Sequence, residues 1–322
     1  MGADLLDTVP VFAESIARCE TALAPHVDWS LTDVLRSGTE LDRVDVIQPV
    51  TWAVMVSLAA TWKQLGIHPD AVVGHSQGEI AAAAVAGALS LEDAAKIVAV
   101  RARIIAEHLA GRGAMASIPQ PVEVVREHLT SGVGIAAING PNATVVSGDK
   151  DAVEALVAQL QEQDVRARLI PVDYASHSAH VETIEQQLAE ALAGITPQTA
   201  EIPFFSTVEP GFLNTTELDA GYWYRNLRQT VHFHTAIEHL TESGYTTYIE
   251  SSAHPVLTYS IEETEGADTI TGTLRRNEGT LTRLLTSAAH LHTHGHTINW
   301  PIPHNQPINL PTYPFQHQRY WI

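Results

Sequence analysis

Ser76 stands in Gly74-His75-Ser76-Gln77-Gly78, between the short apolar run Ala71-Val72-Val73 and small, helix-forming residues from Glu79 to Ala86. That order predicts a strand, a sharp elbow and a helix, with the two glycines giving the turn room and letting the helix pack on the strand. The serine hydroxyl then lies at a helix N-terminus, where the backbone N–H of Gln77 faces the oxyanion of a tetrahedral intermediate. This is the chemistry of a nucleophile attacking an acyl carbonyl. The same residues would also serve a glycine-rich turn whose serine only caps the helix. A strand, an elbow and an alanine-rich helix in sequence favour the nucleophile.

A serine nucleophile needs a base, and the chain offers 17 histidines. His75, at the end of the strand, is expected to point away from the cleft and to pack structurally, although it is a possible cleft residue. His177, in Val172-Asp173-Tyr174-Ala175-Ser176-His177-Ser178, falls where a chain crossing between subdomains passes over the elbow. His180 is expected to start a helix. No acidic partner stands out for His177. Arg101 lies 25 residues after the serine, midway along a helix expected over Leu91 to Leu109 and opened by the capping box Ser90-Leu91-Glu92-Asp93. Ile105 is one turn further on the same face. An arginine in such a setting is ordinarily a snorkelling surface residue or half of an ion pair, which suits Arg103. His290, His292, His294 and His296 alternate and invite a metal reading. Alternate residues share a face on a strand but not on a helix, and no carboxylate or cysteine lies close by, so no metal is expected.

Several elements must position these groups. Helices are expected over Pro10 to His26 and Asp45 to Leu65, the second with Gln48 and Pro49 at its entrance. Gln48 is a candidate to touch substrate; its ordinary role there would be as a cap. From Ala114 to Asp173 the pattern is β-α-β-β-α-β, with strands GAMASIP, VGIAAING, ATVVSG and VRARLIPVD and helices Val122 to Leu129 and Asp151 to Gln163. That is the split βαβ, ferredoxin-like order. As an insertion it would form a lid over a cleft, with Asn139 and Asn142 either lining the cleft or serving only the hairpin turn. From Val181 onward helix Glu182 to Leu192, strand IPFFSTV, helix His232 to Ser243 and strands TTYIESS and ADTITGTL predict a mostly parallel sheet covered by helices. His254-Pro255 follows a strand end, near the cleft or simply in a loop. The tail from Trp300 is rich in proline and cannot be regular structure.

The 322 residues are 45% apolar, as in a globular enzyme, and are enough for a substantial core. A formal charge of −19 argues against nucleic acid or an anionic membrane as partner. Cys19 alone excludes a disulfide framework and a cysteine-built zinc site, and fits a reducing cytoplasm. No uninterrupted apolar run reaches the ~18 to 20 residues of a membrane helix, and no basic-then-apolar signal opens the chain. A cytoplasmic enzyme is expected.

GHSQGE, taken with RVDVIQP at Arg43 to Pro49, VDYASHS at Val172 to Ser178 and LPTYPFQHQRYW at Leu310 to Trp321, resembles the acyltransferase domain of a modular type I polyketide synthase. The resemblance covers nearly the whole chain. It implies an α/β fold: an α/β-hydrolase-like large subdomain (1–113 and 177–298), an inserted ferredoxin-like small subdomain (114–176) and a post-acyltransferase linker (299–322). That linker would wrap back over the preceding domain and bury Tyr313, Phe315, Tyr320 and Trp321. Ser76 and His177 match the family's catalytic pair, a dyad in which a backbone carbonyl orients the imidazole. Arg101 matches the arginine that binds the free carboxylate of the substrate, and a guanidinium fork suits a malonyl-type group. In the family a strand and a Pro-Gly-Gln-Gly turn, whose glutamine joins the oxyanion hole, precede the position of Met1-Gly2; this sequence lacks them.

The resemblance further implies a methylmalonyl coenzyme A thioester as substrate, with Tyr174, Ser176, Ile105 and Gln48 bearing on specificity. No bound cofactor is implied. An acyl carrier protein with its phosphopantetheine arm would be the acceptor, and a ketosynthase the neighbouring domain. The alternatives are a malonyl-specific acyltransferase, a serine hydrolase or thioesterase, and a non-catalytic docking domain. A hydrolase of α/β type would place its histidine near the C-terminus, after a late strand.

Overall fold

A computed structural model describes residues 1–301 and 318–321. The chain begins with helices α1 (Ala3–Thr8), α2 (Pro10–Leu23), α3 (Leu31–Ser37) and α4 (Val44–Gln64). Next come strand β1 (Val72–Val73), α5 (Gly78–Val85) and α6 (Leu91–His108). By length and composition α4 would cross a bilayer, yet most of it is buried, with Val46, Trp52, Ala53, Val54 and Leu58 fully covered. It is the core helix, apolar on nearly all sides because α2, α5 and α6 all pack on it. Pro49 sits inside α4 rather than at its entrance.

A second unit follows: β2 (Gly113–Ile118), α7 (Val122–His128), β3 (Val133–Gly140), β4 (Ala143–Asp149), α8 (Lys150–Glu162) and β5 (Arg168–Leu169). Its sheet runs β3-β4-β2-β5, antiparallel throughout, which is the ferredoxin-like order. The last strand is much shorter than the expected VRARLIPVD: only Arg168 and Leu169 pair, and both are exposed. Arg166, Arg168 and Leu169 are exposed and Pro171 follows with no N–H to donate, so the pairing ends after two residues although Ala167 is buried. His177 therefore follows an irregular crossing, not a strand.

The chain then returns through a 3-10 turn (Ala179–Ile184), α9 (Glu185–Ala191), β6 (Phe204–Ser206), β7 (Gly211–Phe212), α10 (Ala220–Arg228) and α11 (Phe233–Glu242). It ends with β8 (Thr247–Glu250), α12 (Thr258–Glu262), β9 (Thr269–Gly272) and α13 (Leu281–Thr293). β1 pairs with β6 and β8 with β9, both parallel, while β7 adds an antiparallel edge to β6. The sheet of the larger unit is thus parallel in these two pairs, but short and split.

The two units are stitched at β3. Val231 bridges to Ala137, its N–H reaching Ala136 O and its carbonyl taking the N–H of Ile138, both at 2.9 Å. Phe233, Ala236 and Ile237 of α11 share a buried cluster with Ala136, Ala137 and Val145. Sequence patterning missed α10 altogether. Its signals were Asp219, whose carboxylate caps the Tyr222 N–H at 2.8 Å, and the Tyr222, Trp223 and Leu227 face that it buries. Tyr313 and Phe315 lie outside the described residues. Tyr320 and Trp321, expected to be buried, are 85% and 87% exposed among the described residues.

Candidate active site

Ser76 occupies the elbow between β1 and α5 with φ 53°, a left-handed conformation that costs a non-glycine residue of order 1 kcal/mol or more. A Cβ on Gly74 would meet the Glu79 backbone nitrogen at 2.2 Å, so only glycine lets α5 fold back on the strand. Gly78 differs from expectation: a Cβ there meets nothing within 4 Å, so the turn does not need its smallness. The Gln77 N–H stands at the start of α5 and donates to no acceptor among the described residues, which leaves it free for an oxyanion. The Gln77 side-chain Oε1 is also buried without a partner.

His177 comes to the elbow from 101 positions away, its Nε2 2.8 Å from Ser76 Oγ. Nδ1 lies 2.7 Å from the carbonyl oxygen of Gln229. A carbonyl only accepts, so Nδ1 carries the proton and Nε2 is the acceptor that faces the serine. The His177 N–H donates to Leu227 O at 2.9 Å, and its φ of 58° is again left-handed. α10 and its exit thus hold the His177 backbone at Leu227 and its imidazole at Gln229, and no carboxylate takes part among the described residues. Burial pushes His177 down to about 3, with the Gln229 carbonyl pulling it up and the charges of Arg101 and His75 lowering it further. The imidazole is therefore neutral at pH 7, as a base must be.

A pH dependence follows. The folded pKa is depressed below the ordinary value of 6.5, so the unfolded chain binds the proton more readily. The stability that neutral His177 contributes is complete above about pH 6.5 and is lost as pH falls toward 3. Denaturant midpoints measured from pH 7.5 to 4 should fall less steeply for His177→Gln than for the natural sequence. Equal slopes would mean that His177 is not buried in its neutral form.

Arg101, on α6, is 1% exposed, and its Nη1 donates to Asn226 Oδ1 at 2.6 Å. Its Nε has no partner. Burial lowers it to about 10, with Tyr174 and Glu79 acting in the opposite sense, so it stays cationic. A buried guanidinium with an unpaired N–H has donor capacity suited to a carboxylate. Gln48, on α4 and 5% exposed, donates from Nε2 to the Tyr174 hydroxyl at 3.2 Å, while its Oε1 has no partner. Its place in the second turn of α4 makes it a reaching residue rather than a cap. Ser176, 6% exposed, precedes His177 directly. Ile105 is fully buried in the main core one turn beyond Arg101.

His75 is not on a strand, since β1 ends at Val73. Its Nε2 donates to Asn139 Oδ1 at 2.7 Å across the two units, and its ring packs on Phe233. It lies near enough to His177 to affect its charge. Asn142, by contrast, is exposed in the hairpin turn. His180 pairs with Asp149 at 2.7 Å, and His254 is an exposed loop residue whose Nδ1 accepts from Arg276 N–H. The rings of His290 and His294 lie 4.5 Å apart, tilted by 55°, at the end of α13, while His292 Nδ1 lies 3.2 Å from the carbonyl oxygen of His296. The sequence reading missed Glu79, Asn226, Tyr222 and Gln229. Gln229 contributes only a backbone carbonyl, which leaves no mark in sequence.

Residues 1–298 match the family model described as the acyl transferase domain. The chain belongs to that family. This acyltransferase domain is 54% identical over its full length to the pikromycin polyketide synthase component PikAII of Streptomyces venezuelae and equally so to component PikAIII. It spans only 9% and 21% of their lengths. Among solved structures it is similar to the acyltransferase domain from module 8 of the salinomycin polyketide synthase. That match has 52% identity and a TM-score of 0.90, over 93% of this chain and 73% of the other. A further likeness is to the malonyl CoA-acyl carrier protein transacylase of Coxiella burnetii, at 26% identity and a TM-score of 0.79, covering 90% of this chain and 93% of that one. The mixed α/β architecture and the arrangement of larger and smaller units are those of these structures. The domain is an acyltransferase of the kind found in modular polyketide synthases.

Proposed function

We propose that this domain moves a methylmalonyl extender unit from coenzyme A to the phosphopantetheine thiol of an acyl carrier protein through an ester on Ser76. The observation that carries the reading is the Ser76–His177–Gln229 chain of hydrogen bonds beside the buried fork of Arg101. His177 takes the proton of Ser76, the serine oxygen attacks the thioester carbonyl, and the Gln77 N–H receives the oxyanion. The carbonyl is restored as the C–S bond breaks, and His177 returns its proton to the departing coenzyme A sulfur. The carrier thiol then repeats the steps in reverse. Arg101 holds the free carboxylate throughout. The chain matches only part of its long relatives, so a neighbouring ketosynthase and a cytoplasmic setting belong to this proposal as well.

Methylmalonyl is favoured over malonyl on three local sequences that resemble the methylmalonyl type: RVDVIQP, Gln77 after Ser76, and Tyr174-Ala175-Ser176-His177. A phenylalanine at position 176 would fill space beside the base, where serine leaves room for an α-methyl group. One methyl is worth ~1 to 3 kcal/mol in a pocket, so malonyl is disfavoured rather than excluded.

Intact-mass spectra after incubation with a panel of acyl coenzyme A thioesters should show a methylmalonyl adduct on Ser76. Product formed with a carrier protein should be acyl carrier, not free acid. In competition, Ser176→Phe should move kcat/KM toward malonyl by about 10- to 100-fold. A natural preference for malonyl, or indifference to Ser176→Phe, would remove the methylmalonyl assignment and keep the acyltransferase. Free acid as the main product would favour a hydrolase.

A further inference from the structure

Burying a guanidinium costs several kcal/mol unless charge or hydrogen bonds offset it. No carboxylate forms an ion pair with Arg101 among the described residues, and the acidic side chain joined to it through hydrogen bonds is Glu79. Glu79 is fully buried on the first turn of α5, three residues after the nucleophile. Its Oε1 receives the Thr207 N–H at 2.6 Å and lies 2.8 Å from the Thr207 hydroxyl. Its Oε2 receives the Tyr222 hydroxyl at 2.6 Å and Asn226 Nδ2 at 2.8 Å. Asn226 Nδ2 also donates to the Ser76 carbonyl at 3.1 Å, which leaves Oδ1 to face Arg101 Nη1. One asparagine thus links a buried carboxyl group, the nucleophile's backbone and the clamp.

We infer that Glu79 is a positioning residue for the carboxylate clamp: it fixes which end of the Asn226 amide meets Arg101, and offsets the buried cation without occupying its fork. A carboxylate directly on Arg101 would compete with the substrate's own. Set behind an asparagine, it stabilises the cation and leaves Nε unpaired. Burial pushes the Glu79 carboxyl up, and the donors around it act in the other direction. An amide at position 79 imitates the neutral acid and tests the point. The Thr207 N–H is fixed at the end of β6 and demands the one remaining oxygen. The new NH2 then meets Asn226 Nδ2, donor against donor. Turning the Asn226 amide over relieves this only by presenting Nδ2 to Arg101. Either way the fork is disturbed.

This inference rests on the reading of Arg101 as the carboxylate clamp, so Arg101→Ala is measured alongside. Single-turnover acylation of Ser76 by methylmalonyl and by propionyl coenzyme A is followed by intact mass, with thermal melting to confirm folding. Glu79→Gln should lower kcat/KM for methylmalonyl at least tenfold more than for propionyl, chiefly through KM, because the clamp holds the carboxylate in ground and transition states alike. Asn226→Ala, which breaks the relay but leaves the Glu79 side chain and its Thr207 and Tyr222 donors in place, should do the same and decides the matter if Glu79→Gln does not fold. Equal losses on both thioesters, or no loss, would overturn the inference. If Arg101→Ala keeps full discrimination, the clamp reading fails and takes this inference with it. If Arg101→Ala loses discrimination while Glu79→Gln and Asn226→Ala retain it, only the role of Glu79 falls.

Discussion

His177→Gln should slow acylation of Ser76 by about 10^3-fold or more, and Ser76→Ala should abolish it, because nucleophile and base act as a unit. The glutamine side chain is similar in reach, and its amide can still accept a hydrogen bond from the serine, but it cannot take up the proton at neutral pH. The contacts that hold the residue's backbone, including the 2.9 Å bond from its N–H to Leu227 O, do not depend on the ring. The loss should therefore be of chemistry rather than of fold. The measurement is the rate of mass gain on the protein after mixing with methylmalonyl coenzyme A, with melting temperatures as control. Acylation at the natural rate would remove His177 as base. His75 would then be the next candidate; its Nε2 is engaged by Asn139 and its ring is shared with Phe233. His180 is further compromised, being tied to Asp149 on β4.

Arg101→Ala should make acetyl and propionyl coenzyme A competitive with their carboxylated counterparts. A charge-assisted pair closed from water is worth about 2 to 4 kcal/mol, or about 30- to 1000-fold in discrimination. Two features put the expectation toward the upper end. The guanidinium is 1% exposed, and its Nε has no partner, so little water competes for the site. Removing the arginine also leaves Asn226 Oδ1 without its 2.6 Å donor, a cost that falls on every substrate equally. The quantity to compare is therefore the ratio of kcat/KM for methylmalonyl to that for propionyl, not either value alone. An unchanged ratio would rule Arg101 out as the clamp.

Fold and site were legible to different depths. The elbow could be read because it is local: an apolar pair, Gly74, Ser76 and an alanine-rich helix are neighbours in sequence, and chain stereochemistry alone dictates the turn. The ferredoxin-like unit could be read because each element carries its own period and the turns between them are short. The resemblance to known acyltransferases, rather than any pattern in the residues, singled out His177 and Arg101.

What sequence determined by itself was thus the setting of Ser76 and the order of elements around it. Tertiary structure alone decided which groups meet there: Ser76 with His177, Arg101 with Asn226, Glu79 with Thr207, pairs separated by 101, 125 and 128 positions. It also decided that a backbone carbonyl, Gln229 O, orients the His177 imidazole, and that Glu79 on an alanine-rich helix is wholly buried rather than solvated. The physical reason is that a hydrogen bond depends on positions within a few tenths of an ångström. For groups so far apart in the chain, those positions come from how Tyr222 and Asn226 of α10 reach Glu79 on α5 and Arg101 on α6 and how Val231 docks on β3, neither of which any local stretch of residues encodes.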